Sequence, residues 1–337
     1  MGWQGGLALT GWQHPPMLAD MTFSLMTAMR SVTGPHRSSN QDSAGCSDAY
    51  VFVADGVGGH VGGDVASWTV THRLMADLAP WDTRTWDATR LRAAIAVANA
   101  ELALRVGREP ALAGMATTFT GVFCAAGAMA VAHIGDSRAY LVQDGRARRV
   151  TRDDSLVQML LEARMIHEDD AQHHPQRNVI LRSLGGSVTD PEKMTLQSVP
   201  ARVGDRWLLT SDGLTDYVAE ADVLEILTEA ATPEAAADAL LAAALAADSR
   251  DNITVAVSDV VLKEDAVPKE DVVLKEDAVL KEDVVLKEDA SGPVRDPSPG
   301  SDASPGSDER AVHRNRARYL GAAATAADQT PIAPLGG

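Results

Sequence analysis

The chain has 337 residues, of which 45% are hydrophobic, and its mean hydropathy is -0.10. This length and composition suit one large globular domain or two ordinary ones. No apolar run reaches the roughly 18–20 residues of a membrane-spanning helix, and the formal charge of -17 argues against nucleic acid as the main partner. We therefore expect a protein that binds neither nucleic acid nor membrane.

The N-terminus and the two cysteines bear on the cellular compartment. Residues 1–20 contain tryptophans, glycines and a Pro15-Pro16 pair, but they lack a basic segment followed by a long apolar one. We interpret them as a loose N-terminal extension and expect a cytoplasmic protein. Cys46 and Cys124 fit neither a disulfide framework nor a zinc cluster, so we expect two buried, reduced thiols.

The elements of secondary structure follow from the spacing of apolar residues. The pattern predicts strands over 21–30, 50–55, 117–124, 128–134, 139–142, 206–210 and 253–257. Helices are predicted over 64–78, 84–106, 220–228 and 233–247, with a polar helical segment over 155–184. Because the strands follow one another in meanders rather than alternating strictly with helices, the pattern indicates an α+β domain over residues 21–260.

The C-terminal part of the chain has a different composition. From Val261 to Ala290 a six-residue unit, Val-(Leu/Pro)-Lys-Glu-Asp-(Ala/Val), occurs five times. Six residues advance a helix by about 240°, so no single apolar stripe persists along the repeat. We therefore predict a charged, solvated spacer over 261–290, with a partner-binding arm as the alternative. The residues from 291 to 337 begin with a Pro/Ser/Gly/Asp-rich stretch and are predicted to be disordered.

Five aspartates lie where a predicted strand meets a loop: Asp42, Asp55, Asp136, Asp212 and Asp251. Any one of them alone is most simply a turn residue, since Asp-Gly is a common turn dipeptide. Together, carboxylates that converge on one sheet edge repel each other unless a cation neutralises them. All-oxygen ligands favour Mg²⁺ or Mn²⁺ over zinc, and two such ions about 3.5–4 Å apart can clamp a phosphoryl group.

One basic residue precedes the first of these aspartates. Arg37 offers a planar guanidinium that can bind two phosphate oxygens at once. Read alone, it is a solvated loop arginine.

Six short blocks of sequence occur in the order and spacing of one enzyme family. They are Arg37-Ser-Ser-Asn40-Gln41-Asp42, Asp55-Gly-Val-Gly-Gly-His60, Gly114-Met-Ala-Thr-Thr118, Gly135-Asp-Ser-Arg138, Ser211-Asp-Gly-Leu214 and Asp251-Asn-Ile-Thr254. Over roughly residues 20–260 the chain resembles the bacterial PP2C-type (PPM) metal-dependent serine/threonine protein phosphatases. The tail lies outside this resemblance.

The resemblance implies a fold and a reaction. The fold is a four-layer α-β-β-α sandwich of two antiparallel sheets flanked by helices, with the metal centre in a cleft at one end. The reaction is hydrolysis of phosphoserine and phosphothreonine by direct attack of a metal-bridging water or hydroxide, with no phosphoenzyme. The partners implied are phosphorylated proteins, including a serine/threonine protein kinase, and we expect a monomer.

The resemblance also assigns roles to residues. Asp55 would bridge two Mn²⁺ or Mg²⁺ ions, and the carbonyl of Gly56 would join one of them. Asp212 and Asp251 would hold the other ion, and Asp42 would act mainly through metal-bound waters. Asp136 with Asp212 would form a weaker third metal site, and Arg37 would bind the substrate phosphate. His60 is an accessory residue that positions or packs near the metals.

The departures from the family pattern lie outside the proposed ligands: Gln41 stands where many members carry glutamate, and Val57 where eukaryotic members have a histidine. Asp154 replaces the family's usual histidine, and we expect it to lie away from the metals and to matter little.

Three alternatives compete with this interpretation. A nucleotide-binding loop at 56–63 is disfavoured because no lysine follows the glycines and Val61 stands where a final glycine is needed. A catalytically inactive scaffold that binds phosphoproteins or a kinase through the same cleft is the second. A metal-dependent hydrolase of another phosphoester is the third. The last two remain open at the level of sequence.

Overall fold

A computed structural model of the protein describes residues 22–57, 62–78, 87–171, 174–263 and 318–321. All of them belong to one compact unit of the chain, Met1–Ala266 with Asn315–Gly337. The predictions for the N-terminal extension, for His60 and for most of the repeat and tail lie outside the described residues. None of the described helices is both long and apolar enough to cross a membrane.

The described strands are β1 (Phe23–Val32), β2 (Asp42–Cys46), β3 (Tyr50–Val57), β4 (Ala116–Thr117), β5 (Phe119–Ala125), β6 (Ala128–Ile134), β7 (Arg138–Gln143), β8 (Arg146–Arg149), β9 (Thr195–Pro200), β10 (Arg206–Thr210), β11 (Ile253–Leu262) and β12 (Arg318–Gly321). The described α-helices are α1 (Gly63–Leu78), α2 (Ala88–Arg108), α3 (Leu156–Glu162), α4 (Glu168–Ala171), α5 (Asp190–Lys193), α6 (Asp212–Thr215), α7 (Glu220–Glu229) and α8 (Pro233–Ala246).

The strands form two antiparallel sheets. The smaller sheet has the order β1-β11-β10-β7-β8. The larger has the order β12-β2-β3-β5-β6-β9, and β4 also pairs with β3. In β3, Val51 and Val53 pack into the core between the sheets, whereas Tyr50 and Phe52 pack against α1 and α2. This alternation is the period-2 pattern of a strand that is buried on both faces.

The smaller sheet is covered on its outer face as well. Leu208 of β10 and Val255 of β11 pack there against Leu227 of α7 and Leu240 of α8. Helix α8 begins at Pro233, where the side chain of Thr232 caps the first turn by accepting a hydrogen bond from Ala235 N at 3.2 Å. The layers are therefore helix, sheet, sheet, helix, which confirms the predicted sandwich.

Several predicted elements are found and others were missed. Strands β6 and β10 have the predicted bounds, and α1, α7 and α8 match within one residue. Strands β2, β8 and β9 were not predicted, and the segment 155–184 forms only the short helices α3 and α4. Strands β8 and β9 and the segment 155–184 were misjudged for one reason. Edge strands and surface loops carry polar residues, so the spacing of apolar residues does not indicate their conformation.

The predicted boundaries of the tail need two corrections. Strand β11 continues to Leu262, so the first repeat unit begins inside the sheet rather than after it. Residues 318–321 lie within the segment that we predicted to be disordered, yet they form β12 and pair with β2. A backbone pairing of this kind needs no apolar pattern, so composition alone could not reveal it.

Both cysteines are free and buried, as predicted. Cys46 lies on β2 and Cys124 on β5, and both pack into the core between the sheets. Burial raises the pKa of both thiols, that of Cys124 to about 12.

Candidate metal centre

Asp42 is the first residue of β2 and is almost fully buried, with 1% of its surface exposed. Its Oδ2 accepts hydrogen bonds from Ser211 Oγ at 2.8 Å and from Thr254 Oγ1 at 2.7 Å. Its other oxygen, Oδ1, is buried and has no hydrogen-bond partner among the described residues. Burial raises the pKa of Asp42 to about 6, although the two hydroxyl donors oppose that shift.

Asp55 lies directly opposite Asp42 on the neighbouring strand β3. Its backbone N–H donates to Thr118 Oγ1 at 3.0 Å, which fixes the end of β3 against the short strand β4. Burial raises the pKa of Asp55 well above its usual range, and so do the negative charges of the other four aspartates predicted for the site. The other four aspartates therefore all lie within electrostatic reach of Asp55.

Asp136 and Asp212, like Asp42, each have a buried Oδ1 with no partner in the part of the chain that the structure describes. Asp136 lies in the turn between β6 and β7, and Asp212 begins α6 directly after β10. Burial raises the pKa of Asp136 to about 7, assisted by the charges of Asp153 and Asp216. Burial also raises the pKa of Asp212 well above its usual range, with the charge of Asp136 as the next cause.

Asp251 and Arg37 form an ion pair, with Arg37 Nη2 and Asp251 Oδ2 at 2.5 Å. Arg37 Nε also donates to the carbonyl of Arg250 at 3.2 Å, and about 37% of the Arg37 side chain is exposed. The residue predicted to bind phosphate thus contacts a residue predicted to bind metal. Asp251 accepts a second hydrogen bond on Oδ1 from the N–H of Asn252 at 2.8 Å.

Two glycines hold the loops of the site at close range. A Cβ on Gly56 would lie 2.3 Å from the carbonyl oxygen of Gly63, and one on Gly213 would lie 1.9 Å from that of Asn252. Because these contacts are to backbone, no side chain can move aside to relieve them. Glycine is therefore required for Asp55 and Asp212 to sit where they do.

Sequence reasoning missed the donors that orient Asp42. Ser211 precedes Asp212, and Thr254 follows Asp251 by three residues, so both lie in the sequence blocks that carry the resemblance. Their contact with Asp42 joins residues about 170 and 210 positions apart, and no local pattern announces it. Asp216, four residues after Asp212, was also missed although its spacing places it on the same helical turn.

Asp154 contacts the turn that carries Asp136. Its Oδ2 accepts a hydrogen bond from the N–H of Gly135 at 3.2 Å, and its Oδ1 accepts one from Arg182 Nη1 at 3.2 Å. That this position lies away from the metals and matters little stays a prediction.

A cleft opens beside Asp136 and Asp212. Acidic and basic side chains share its lining, which includes Asp216, Arg138, Arg149 and Arg177, while α3 supplies an apolar wall. Arg138 is paired with the buried Asp153 at 2.8 Å, and Arg177 lies 3.5 Å from Asp216.

The three unpartnered carboxylate oxygens test whether this site suits a cation. A buried acceptor without a donor is costly, and so are adjacent carboxylates without a counter-charge. A hard divalent cation satisfies both needs, so the donor set fits Mg²⁺ or Mn²⁺. Within the described ranges, no group of three or more His, Cys, Asp or Glu side chains is arranged to hold an ion as it stands. The acidic site thus fits a divalent cation in its chemistry and electrostatics. His60 lies outside the described residues.

Comparisons with known proteins place this arrangement in a family. Residues 36–247 match the family model described as protein phosphatase 2C. The serine/threonine protein phosphatase PstP of Mycobacterium tuberculosis is 41% identical over 246 residues, which cover 72% of this chain and 46% of that protein. The chain thus spans about half the length of this relative. The serine/threonine phosphatase stp of Listeria monocytogenes is 37% identical over 239 residues, covering 67% of this chain and 92% of the relative.

Solved structures agree with the sequence comparison. The crystal structure of the M. tuberculosis phosphatase PstP/Ppp superposes with a TM-score of 0.66 at 39% identity, covering 70% of this chain and 98% of that one. The catalytic domain of PstP in complex with two manganese ions gives a TM-score of 0.65 at 38% identity, covering 71% of this chain and all of that one. The matched family model, the identity to these relatives and the shared sandwich all show that this chain belongs to the protein phosphatase 2C family.

Proposed function

We propose that this chain is a Mn²⁺- or Mg²⁺-dependent protein serine/threonine phosphatase. The observation that carries the proposal is the set of three buried aspartates, Asp42, Asp136 and Asp212, each with an oxygen that lacks a hydrogen-bond donor. Family membership and the manganese-bound relative support the same conclusion. When bound, a pair of divalent cations lowers the pKa of water and neutralises charge on a transferring phosphoryl group.

Different aspartates would hold the two metal ions and a third, more weakly bound ion. Asp55, with the carbonyl of Gly56, lies at the centre of the acidic group, since the charges of the other four aspartates all act on it. Asp212 and Asp251 would hold the second ion, and Asp136 with Asp212 would hold the third. Ser211 and Thr254 bind Asp42 through Oδ2, so Oδ1 has no donor among the described residues.

Arg37 binds the substrate phosphate in this proposal. Its ion pair with Asp251 holds the guanidinium at the edge of the site. Among the described residues, Arg37 Nη1 has no hydrogen-bond partner, so one edge of the guanidinium is available to a phosphate oxygen. An acidic site would otherwise repel a phosphorylated substrate, and bound cations reverse that local field.

Hydrolysis of a phosphothreonine peptide by the purified chain tests the proposal. We expect turnover with Mn²⁺ and none with excess EDTA. Asp55→Ala and Asp212→Ala should each reduce the rate at least 100-fold while leaving the circular dichroism spectrum unchanged. Turnover that survives EDTA, or that is near normal in both variants, would refute the assignment.

The same assay separates the two alternatives that the sequence left open. An inactive scaffold would bind the phosphopeptide without turnover under any metal condition. A hydrolase of other phosphoesters would prefer small metabolite phosphates to the peptide. The proposed protein substrates, a serine/threonine protein kinase among them, are tested by replacing the peptide with an autophosphorylated kinase. A cytoplasmic location and a monomeric state complete the proposal.

A further inference from the structure

Strand β12 pairs antiparallel with β2 at the edge of the larger sheet. Arg318 lies opposite Cys46 and Gly321 lies opposite Ser43. Strand β2 is short, and all five of its residues are buried. Its other side pairs with β3, so without β12 the backbone donors and acceptors facing outward would lack strand partners.

A second contact ties this segment to the other sheet. Arg318 Nη2 donates to the carbonyl oxygen of Thr27, on β1, at 2.5 Å. Strand β1 is the edge strand of the smaller sheet. Arg318 therefore bridges the two sheets at the side where both would otherwise end. Its guanidinium also lowers the pKa of Cys46 against the effect of burial, as expected for a charge held beside that thiol.

The chain is also held within the first repeat unit, at Lys263. The N–H of Lys263 donates to the carbonyl of Thr22 at 3.0 Å, and Lys263 Nζ lies 3.4 Å from Asp48 Oδ2. About 50 residues separate Lys263 from Arg318, and an extended chain of that length reaches on the order of 170 Å. Length therefore does not prevent the same chain from supplying β12.

We propose that the outer edge of β2 is a strand-binding site whose occupant in solution is residues 318–321 of the same chain. The site recognises an extended backbone through the β2 edge and a guanidinium through the carbonyl of Thr27. Tethering makes docking intramolecular, which favours the chain's own segment over that of a second copy at micromolar concentration. Nothing in this inference depends on the proposed activity.

A disulfide trap in the full chain tests the pairing directly. Residues opposite each other on antiparallel strands have Cα atoms about 4.5–5.5 Å apart and share a face, which suits a disulfide. In Arg318→Cys, diamide should oxidise the introduced thiol and Cys46 to a disulfide within one chain, itself being reduced to the hydrazine. The control is Gly321→Cys, which lies opposite Ser43 and should not cross-link.

Hydrogen exchange provides a test that keeps Arg318. In Leu320→Pro, the amides of Ala44 and Cys46, which face β12, should exchange at least ~10-fold faster, because proline disrupts the ladder, whereas those of Ser43 and Gly45, which face β3, should not change. Leu320→Val, which suits a strand, and Ala327→Pro, outside β12, should exchange like the unmodified chain. A disulfide that joins two chains would overturn the proposal, because the occupant would be a second copy. Equal exchange over β2 in Leu320→Pro and Leu320→Val would overturn it as well.

Discussion

At the scale of single residues, the buried Asp136 makes a prediction about pH. Its pKa is about 7 in the folded protein and 3.8 for the ordinary group, so between those values the folded state binds more protons than the unfolded state. Its stabilising contribution is therefore present below about pH 4 and is lost as the pH rises through 7. Asparagine resembles the neutral acid, so metal-free Asp136→Asn should exceed the original chain in stability by about 2–4 kcal/mol at pH 8.

Urea denaturation in EDTA at several pH values measures this difference. The gap between Asp136→Asn and the original chain should shrink toward zero near pH 4.5. Asp144→Asn is the matched control, because Asp144 lies in an exposed turn with a positive φ of 51° that asparagine tolerates. A gap that stays constant across the pH range would contradict the argument.

Arg37 pairs with Asp251 and is proposed to bind the substrate phosphate, and kinetics can distinguish these two roles. If it binds the substrate phosphate, Arg37→Ala should raise KM by about 10-fold or more, because a charge-assisted hydrogen bond is worth ~1.5–3 kcal/mol. If it serves only to hold Asp251, the variant should instead need more Mn²⁺ while KM at saturating metal stays unchanged. His36→Ala is the control, since His36 is the neighbouring residue and pairs with the exposed Asp248 at 3.0 Å.

The sequence identified the aspartates of the site better than the residues that hold them in position. Asp55 and Asp212 could be picked out because each ends an apolar strand and precedes a glycine. The hydroxyl groups of Ser211 and Thr254 could not, because serine and threonine are common and the contact with Asp42 exists only after three distant strands have packed. The pairing of Arg37 with Asp251 was hidden for the same reason.

At the scale of elements, the turn that begins α6 depends on a glycine. In Gly213→Ala the new methyl group would meet the backbone of Asn252 at 1.9 Å, so either Asp212 or Asp251 must shift. We expect a loss of stability of about 2 kcal/mol or more and a fall in kcat of at least 10-fold. Urea denaturation and the phosphopeptide assay measure the two effects.

Gly107 in α2 supplies the control for that substitution. A Cβ there would meet nothing within 4 Å, and the residue is helical. Gly107→Ala should therefore raise stability by about 0.5–1 kcal/mol and leave the activity unchanged. Similar behaviour of the two variants would show that the close contact at Gly213 has no consequence.

Strand patterns explain which elements could be predicted. Strands β6 and β10 are apolar runs that turns interrupt, so their bounds were found from sequence. Strand β8 reads Arg-Ala-Arg-Arg and alternates between exposed and half-buried residues, while β9 exposes much of its length. Each of these two lies at the edge of its sheet, where the solvent side needs no apolar residues. Strand β2 was missed although it is buried, because its small residues do not form an apolar run.

At the scale of the whole molecule, the two-sheet sandwich concentrates negative charge at one place. Strands β2, β3 and β10 and the turn after β6 deliver their aspartates to the same end of the sandwich, although these segments span some 170 residues. Burial raises the pKa of four of the five acids, which means that the folded protein disfavours their charged forms. Folding therefore stores an electrostatic cost that a cation can relieve.

This cost makes metal binding and stability depend on each other in a pH-dependent way. Near pH 5.5, Asp42 and Asp136, with pKa values of about 6 and 7, are largely protonated, so protons compete with the metal. At pH 8 they are charged, the metal-free protein is at its least stable with respect to these groups, and the metal has full access. A metal at 100 times its Kd adds about 2.7 kcal/mol to the free energy of unfolding.

We expect the rise in Tm on adding Mn²⁺ to be several degrees at pH 8 and much smaller at pH 5.5. Thermal melts with and without Mn²⁺ measure it, and Asp55→Ala should lose most of the rise. An equal rise at both pH values, or one undiminished in Asp55→Ala, would mean that the metal stabilises the protein from somewhere other than this group of aspartates.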